Sequence, residues 1–486
     1  MLIVDFASLL DVSRATRPTS AARCKSPFSR RSYVGPVGTC VAQVLGVCLL
    51  GTILAYVMVS GTATAAFGVV LLPSLCYVLT RRLGGLVAGL TLILLLPSWY
   101  TLGPAQAGVM RIACLCALAT VLLTRQPRLT WIDVTLVGFI AILFLGWVLQ
   151  DNQAHAGRIM LNEIQAVAFF IAARTVPARS TPDVMRFVYF AGALGALTVL
   201  YELRVGHVVF LDPSRYYWNG GGLLFRPGGI FGSPPAASTV LTLTALCGMP
   251  SMQQLRGWKR GFARLCMAIT LGAVVATFTR TAFIAVAVGL VAYLWLSRSP
   301  MLRPQRVLVG LLLVTLGFAF VLPRLEKEAT FQEGVLRPGT FAARVGYWQL
   351  AIPIATSSAH NLVVGIGSEA LEIPALGGSA PSEIASSPVL IQHGTHNQYV
   401  LTLLEQGLVG LVAMCAWLAA SVGTAWRRAR TGRDPYVAAL AAGMLAVTIT
   451  MLTDNVMLSG PSLAIAFLIA GLIVASRRSG STEDPV

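Results

Sequence analysis

Long apolar runs separated by short polar loops occupy most of the 486-residue chain. About 20 consecutive apolar residues in a helix cross a bilayer, so the pattern predicts about fourteen membrane spans. They are expected near 38–59, 62–80, 84–102, 107–124, 131–149, 159–175, 187–203, 236–250, 265–279, 281–297, 306–322, 399–424, 436–456 and 461–476. The predicted fold is therefore all-α, a polytopic transmembrane helix bundle of about 12–14 spans.

Two stretches interrupt this pattern and are predicted to be loops on the outer side of the membrane. Residues 204–235 are rich in Gly, Pro and aromatic residues, and 323–398 is the longest stretch without a span. A loop of that length is unusual unless it is functional or folded, so short amphipathic helices are expected there. The predicted organisation is a cytoplasmic tail 1–36, an amino-terminal bundle 37–203, a central region 204–425 containing both loops, and carboxy-terminal helices with a short cytoplasmic tail 426–486.

Composition agrees with a membrane protein, because 56% of the residues are hydrophobic and only 11% are charged. The net charge of +17 could suggest nucleic acid as a partner. The basic residues, however, form short blocks between apolar runs, which is how positive charge marks cytoplasmic loops. Membrane lipids, and not nucleic acid, are therefore the expected partners. Eight of the nine cysteines fall in predicted spans, so no disulfide framework is implied.

Arg280 is the first candidate for chemistry. Residues 265–297 have basic blocks on both sides, and one helix of that length would extend about 50 Å. A hairpin with Thr279-Arg280-Thr281 at its outer tip satisfies both constraints. An arginine held in the bilayer costs roughly 2.5–3.5 kcal/mol on insertion scales, which favours an anionic partner. That partner is either a lipid headgroup reached by snorkelling or a ligand phosphate held bidentately.

Two further candidates come from the long loop. Phe341 to Ile354 is amphipathic and places Arg344 and Trp348 four residues apart, on one helical face. Arg344 is either a solvated surface charge or part of the same anion site. His396 lies among small and polar neighbours where the loop meets an apolar helix, and it is either a structural interfacial histidine or a general base.

A metal site is not expected. His393 lies three residues before His396, but no further His, Cys or carboxylate cluster completes a set of ligands. No cofactor is implied either. Four other charges lie within or near spans and have no partner that the sequence identifies. Arg111 and Glu163 are expected to face the bundle interior, whereas Glu405 and Asp454 are either structural or functional acids.

The order of these motifs resembles the O-antigen ligase/polymerase superfamily over about residues 220–425. The residues that carry the resemblance are Arg226-Pro227-Gly228-Gly229-Ile230-Phe231-Gly232, Thr279-Arg280-Thr281-Ala282, Arg344-Val345-Gly346-Tyr347-Trp348, Gly365-Ile366-Gly367, His396-Asn397-Gln398-Tyr399 and Leu404-Glu405-Gln406-Gly407. The resemblance implies that 204–425 is the catalytic region of a metal-independent glycosyltransferase in the bacterial inner membrane, with its active site facing the periplasm.

Such an enzyme would take a glycan from undecaprenyl diphosphate and transfer it to a hydroxyl on lipid A-core or on another glycan. By the resemblance, Arg280 and Arg344 would hold the diphosphate and His396 would orient or deprotonate the acceptor. Further contacts with substrate are expected from Arg226, Trp348, Asn397 and Tyr399.

Two alternatives share parts of this pattern. A repeat-unit polymerase for O-antigen, capsule or exopolysaccharide would use the same two arginines and histidine. A transporter of polysaccharide or lipid-linked sugar would also have many spans and intramembrane charges. Transporters often show paired repeats and helices interrupted at mid-membrane, whereas the polar groups of this chain converge on one face.

Overall fold

The computed structural model describes residues 83–96, 101–102, 107–122, 124, 129–148, 153–210, 226–297, 338–368, 370–371, 382–385, 387, 390, 394–432, 434–456 and 459–476. The predicted tail, the predicted spans 38–59, 62–80 and 306–322, and His393 lie outside these residues.

The described residues are almost entirely helical. The α-helices are α1 Gly84–Leu95, α2 Val109–Leu122, α3 Trp131–Val148, α4 Gln153–Arg174, α5 Thr181–Val205, α6 Pro234–Gln254, α7 Gly257–Ala276, α8 Arg280–Ser297, α9 Pro338–Ala355, α10 Ala359–Val364, α11 Ser382–Ala385, α12 Gln398–Gly432, α13 Pro435–Thr450 and α14 Gly460–Ala475. Short 3₁₀ helices cover Ala178–Ser180 and Gly229–Phe231. One antiparallel pair, β1 Thr101–Leu102 with β2 Ala107–Gly108, places Thr101 opposite Gly108.

Each predicted span that falls on described residues coincides with a helix. The prediction for 84–102 was too long, because α1 ends at Leu95. Leu96 is extended (φ −117, ψ 150) and precedes Pro97, and a residue before proline is disfavoured in the helical region. Within the part of the chain that the structure describes, four segments are long and apolar enough to cross a membrane, namely Trp131–Val148, Ala178–Val205, Arg280–Ser297 and Gln398–Gly432. The total of about 12–14 spans stays a prediction.

The centre of the bundle is α14, which is apolar on all sides and buried along its whole length. It packs against α4, α6, α12 and α13. Its approach to α4 is close, since a Cβ on Gly471 would lie 2.6 Å from the Phe170 carbonyl oxygen. Small residues permit such backbone contact between helices in membranes.

Helix α3 lies at the edge of the bundle and shows the opposite pattern. Its buried face carries Ile132, Leu136 and Phe139, whereas Trp131 and Phe144 are 77% and 50% exposed. A continuous apolar face of this kind is unusual in water but suits contact with lipid. With the apolar helices described above, it marks the chain as a membrane protein.

Helix α12 is broken at Gly407, whose backbone is left-handed (φ 62, ψ −164). The break frees the carbonyl oxygens of Leu404 and Glu405, which accept hydrogen bonds from the Ile366 and Gly367 amides, each at 3.0 Å. A Cβ on Gly407 would lie 2.4 Å from the Val363 backbone. The loop after α10 therefore seals the break in α12 and anchors the long loop to the bundle.

Candidate active site

Arg280 lies where the sequence pattern predicted a helix-to-helix tip. Helix α7 ends at Ala276, Phe278 is left-handed (φ 51), and α8 begins at Arg280. Arg226 lies beside this turn, where its Nε donates to the Thr277 carbonyl at 3.1 Å and its Nη2 to Thr279 Oγ1 at 3.1 Å. Two arginines that are 54 positions apart in the sequence thus approach the same turn.

Arg344 reaches the same place from α9. Its Nη2 lies 3.6 Å from Asp454 Oδ1, and its guanidinium acts electrostatically on that of Arg280. Asp454 belongs to the turn after α13, and Thr453 in this turn is hydrogen-bonded through its hydroxyl to the Thr281 hydroxyl. The guanidinium of Arg226 also acts on Asp454. Arg344 and Arg226 therefore act on one carboxylate, and Arg280 lies near Arg344; these three residues are here called the arginine cluster.

The electrostatic balance at Asp454 is unusual. Burial raises the pKa of the Asp454 carboxyl to about 6, while the guanidinium groups of Arg344 and Arg226 act to lower this pKa. Its Oδ2 is buried and makes no hydrogen bond within the described residues. Arg344 and Arg226 act on this carboxylate and Arg344 also acts on Arg280, so three guanidinium groups are electrostatically coupled at one place. Planar guanidinium groups are well suited to phosphate oxygens.

His396, in the segment before α12, is held in a strained conformation, with φ at 48. A left-handed histidine is uncommon and persists only when its surroundings fix it. The Trp348 indole N–H donates to the Thr395 carbonyl at 2.9 Å, and the Tyr347 ring centroid lies 6.0 Å from that of His396. Since Tyr347 and Trp348 follow Arg344 by one turn of α9, one helix carries Arg344 and also supports His396.

The turn that contains Asp454 supports His396 from its other side. Thr395 Oγ1 donates to Asn455 Oδ1 at 3.3 Å, and the Gln398 amide donates to the Met451 carbonyl at 2.8 Å. His396 and the arginine cluster therefore share two supporting elements, α9 and the turn 451–456. The structure brings the three predicted catalytic residues, Arg280, Arg344 and His396, to one end of the bundle.

The predicted substrate-binding residues have structural contacts of their own. Asn397 Oδ1 caps α12 by accepting from the Tyr399 and Val400 amides at 3.0 and 3.2 Å. The Tyr399 hydroxyl donates to the Thr448 carbonyl at 3.0 Å. The single N–H of the Trp348 indole is already used at Thr395. Contact of these residues and Arg226 with substrate stays a prediction, and the observed bonds order the site around His396.

Arg111 and Glu163 were both expected to face the bundle interior, and the structure places them differently. Arg111 is exposed on α2, so the prediction that it faces the bundle interior is wrong. Helix α2 packs on α1 and α4 through Ala113, Cys114 and Ala117, which leaves Arg111 on the opposite face. Glu163 is buried, as predicted.

Asp454 is the site residue whose importance the sequence left open. The feature that marks Asp454 in the sequence is its position, because Asp454 and Asn455 are consecutive polar residues between two apolar runs. Its partner is 110 positions away, and only the folded chain identifies Arg344. For metals, the described residues contain no group of three or more His, Cys, Asp or Glu placed to hold an ion.

Part of the chain is similar to a known protein family. Residues 265–415 match the family described as O-antigen ligase. The matched segment contains Arg280, Arg344 and His396, whereas Arg226 and Asp454 lie on either side of it. No curated protein matches the chain. The resemblance to the O-antigen ligase family is therefore confirmed for residues 265–415, which contain the motifs from Thr279 to Gly407.

Proposed function

We propose that this protein is a membrane glycosyltransferase that moves a glycan from undecaprenyl diphosphate to an acceptor hydroxyl. The proposal places the reaction at the periplasmic face of the bacterial inner membrane. The observation that carries it is the arginine cluster beside Asp454, of which Arg280 and Arg344 lie in the segment that matches the O-antigen ligase family. The family implies a lipid-linked glycan and a polysaccharide acceptor as partners in general.

The chemistry requires negative charge to be stabilised where the donor breaks. In the reaction, the acceptor oxygen forms a bond to the anomeric carbon, and the bond from that carbon to the diphosphate oxygen breaks. The electron pair leaves with undecaprenyl diphosphate. Cationic donors fixed in advance stabilise such developing charge without reorganisation. Arg280 and Arg344 are proposed to do this, with Arg226 beside them.

The acceptor hydroxyl is a weak nucleophile and must lose its proton. His396 is proposed to orient this hydroxyl and to accept the proton, because imidazole titrates close to neutral pH. Its strained backbone, supported by Trp348 and Asn455 through Thr395, favours a fixed ring position. A fixed base next to a fixed anion site is the arrangement that proximity catalysis needs.

Asp454 is proposed to orient Arg344, both in the empty site and while the donor reacts. Three guanidinium groups repel one another, and the carboxylate offsets part of this repulsion while it holds Arg344 towards the site. A diphosphate that enters the arginine cluster would bind the exposed side of Arg344, while Asp454 holds the guanidinium from its buried side. The carboxylate would thereby keep Arg344 oriented in the empty site and in the donor complex.

The test is product identification. Purified protein in lipid nanodiscs is supplied with an undecaprenyl-diphosphate-linked glycan and, separately, with lipid A-core or free glycan chains. Mass spectrometry of the products should show one acceptor extended by a glycan, with undecaprenyl diphosphate released in equal amount. Transfer should continue in EDTA, since the proposed chemistry uses no metal. Loss of donor without an extended acceptor would contradict the proposal.

A further inference from the structure

Glu202, in the last turn of α5, is fully buried at 0% exposure and accepts four backbone hydrogen bonds. Its Oε1 accepts from the Val209 and Phe210 amides at 3.0 and 3.1 Å. Its Oε2 accepts from the Gly228 and Gly229 amides at 3.1 and 2.7 Å. One side chain therefore joins the chain segment before residues 211–225 to the segment after them.

Thr198 extends this contact along the same helix. It lies four residues before Glu202, on the same face of α5, and its Oγ1 accepts from the Ile230 amide at 3.3 Å. Three successive amides, those of residues 228–230, are thus fixed to α5. Gly229 has φ 56, and a Cβ there would lie 2.5 Å from Thr198 Oγ1, so only glycine permits this approach.

The fixed segment leads directly to Arg226. Only Pro227 separates Arg226 from Gly228, and the proline ring restricts the backbone between them. Pro227 is buried, as are Ile230 and Phe231 on the other side of the glycines. The hydrogen bonds from the Gly228 and Gly229 amides to Glu202 therefore fix the backbone from which the Arg226 side chain extends. From there its guanidinium reaches Thr277 and Thr279.

A carboxylate suits this position better than any other side chain. Its two oxygens offer about four lone-pair sites, which matches the four amides that point at Glu202. An amide side chain has one acceptor oxygen, so its NH₂ group would face two of the N–H donors. Burial of a charge is costly unless hydrogen bonds satisfy it, and here the four amides do so.

We propose that Glu202 is a positioning residue for glycan transfer, which acts by fixing the 226–230 backbone and thereby the guanidinium of Arg226. The proposal rests on the proposed function for its last step, the action of Arg226 on the donor. A purely structural role would also place Glu202 in the core, but its loss would then affect the whole bundle and would not depend on Arg226.

The test uses Glu202→Gln, with Asp183→Asn as the matched control. Asp183 lies at the other end of α5, where its side chain is 46% exposed. In Glu202→Gln, amide hydrogen exchange should become faster for residues 226–231 and remain as in wild type for α13 and α14. The control should leave exchange at 226–231 unchanged.

The kinetic half of the test is a double-mutant cycle. Glu202→Gln alone should lower kcat/KM by about tenfold or more, since a misplacement of about 1 Å can cost up to 10²-fold. In an Arg226→Ala background the same change should cost less than about twofold, because coupled residues do not act additively. If Glu202→Gln does not fold, Thr198→Val removes one acceptor of the same contact and serves in its place.

Each outcome decides the proposal. Equal losses from Glu202→Gln with and without Arg226, or unchanged exchange at 226–231, would overturn it. A wild-type protein that transfers no glycan would end the proposed function instead. The exchange measurement does not depend on transfer, and it would still decide whether Glu202 holds the Arg226 segment.

Discussion

Arg344 and Asp454 form an ion pair, with Nη2 and Oδ1 3.6 Å apart, in which the two side chains are unequally buried. The carboxylate is 5% exposed and the arginine 22%. Removal of one partner from a buried pair leaves the other charge uncompensated, which is costly. Here the arginine is the accessible partner, so a phosphate that arrives from outside can reach it while Asp454 stays behind it.

Substitution of Asp454 by asparagine should separate binding from catalysis. The Asp454→Asn variant keeps the shape of the site but no longer draws Arg344 into place. We expect kcat to fall by at least about tenfold, while KM for the lipid-linked donor stays the same or falls, because the site becomes more positive. Initial-rate kinetics against donor concentration would measure both. Asp183→Asn, which alters the Arg186 ion pair at the other end of the bundle, is the control. An unchanged kcat would remove Asp454 from the account.

The raised pKa of Asp454 gives a signed pH dependence. Its pKa is about 6 in the folded protein and about 3.9 in an unfolded chain. The folded state therefore binds more protons between these values, and the stability of the wild type falls as the pH rises through this window. Asp454→Asn lacks this loss, so its stability relative to wild type should rise between pH 5 and 7 by on the order of 1 kcal/mol.

Thermal unfolding of both proteins at each pH measures this difference. A difference in Tm that does not change with pH would show that Asp454 titrates outside this range.

Gly407, at the break in α12, should not tolerate replacement by a residue with a side chain. Gly407→Ala places a Cβ 2.4 Å from the Val363 backbone in a left-handed conformation, so we expect a loss of about 2 kcal/mol or more. Gly423 lies on the same helix with open space around it. Gly423→Ala should therefore be neutral or stabilising by up to about 1 kcal/mol. Thermal unfolding in the same detergent compares the two variants, and equal Tm values would contradict the observed packing.

Trp348 should act on catalysis through the backbone that precedes His396. Trp348→Phe keeps an aromatic ring but loses the N–H that donates to Thr395. We expect kcat to fall several-fold, by about the energy of one hydrogen bond, with little change in KM for the donor. Trp258→Phe, at an exposed position on α7, is the control. A change confined to KM would instead favour direct contact between Trp348 and substrate.

The sequence predicted the helices well because the length of an apolar run is a local property. Helix α9, for example, covers the amphipathic stretch 341–354 and brings Arg344 and Trp348 to the same side. The orientation of an apolar helix is different, since it depends on neighbours. Helix α2 is hydrophobic on several faces, so nothing local indicates that Arg111 lies outside.

Local sequence features also identified part of the candidate site. Arg280, Arg344 and His396 could be selected because each is a polar group next to an apolar run. The pairing of Arg344 with Asp454, and the bonds from Arg226 to the α7–α8 turn, join residues far apart in the sequence. Glu202 gave no signal of its own, because its four partners are backbone amides, which every sequence contains.

The central claim is that Arg280, Arg344 and His396 act together on a lipid-linked diphosphate donor. Its most direct test is the rate of glycan transfer by Arg280→Ala, Arg344→Ala and His396→Ala in nanodiscs. The controls are Arg427→Ala and His360→Ala, since both residues are exposed and lie outside the site. Each site variant should lose at least about 10²-fold in rate with unchanged Tm, and each control should stay within about twofold. Transfer at the wild-type rate by any of the three site variants would contradict the account.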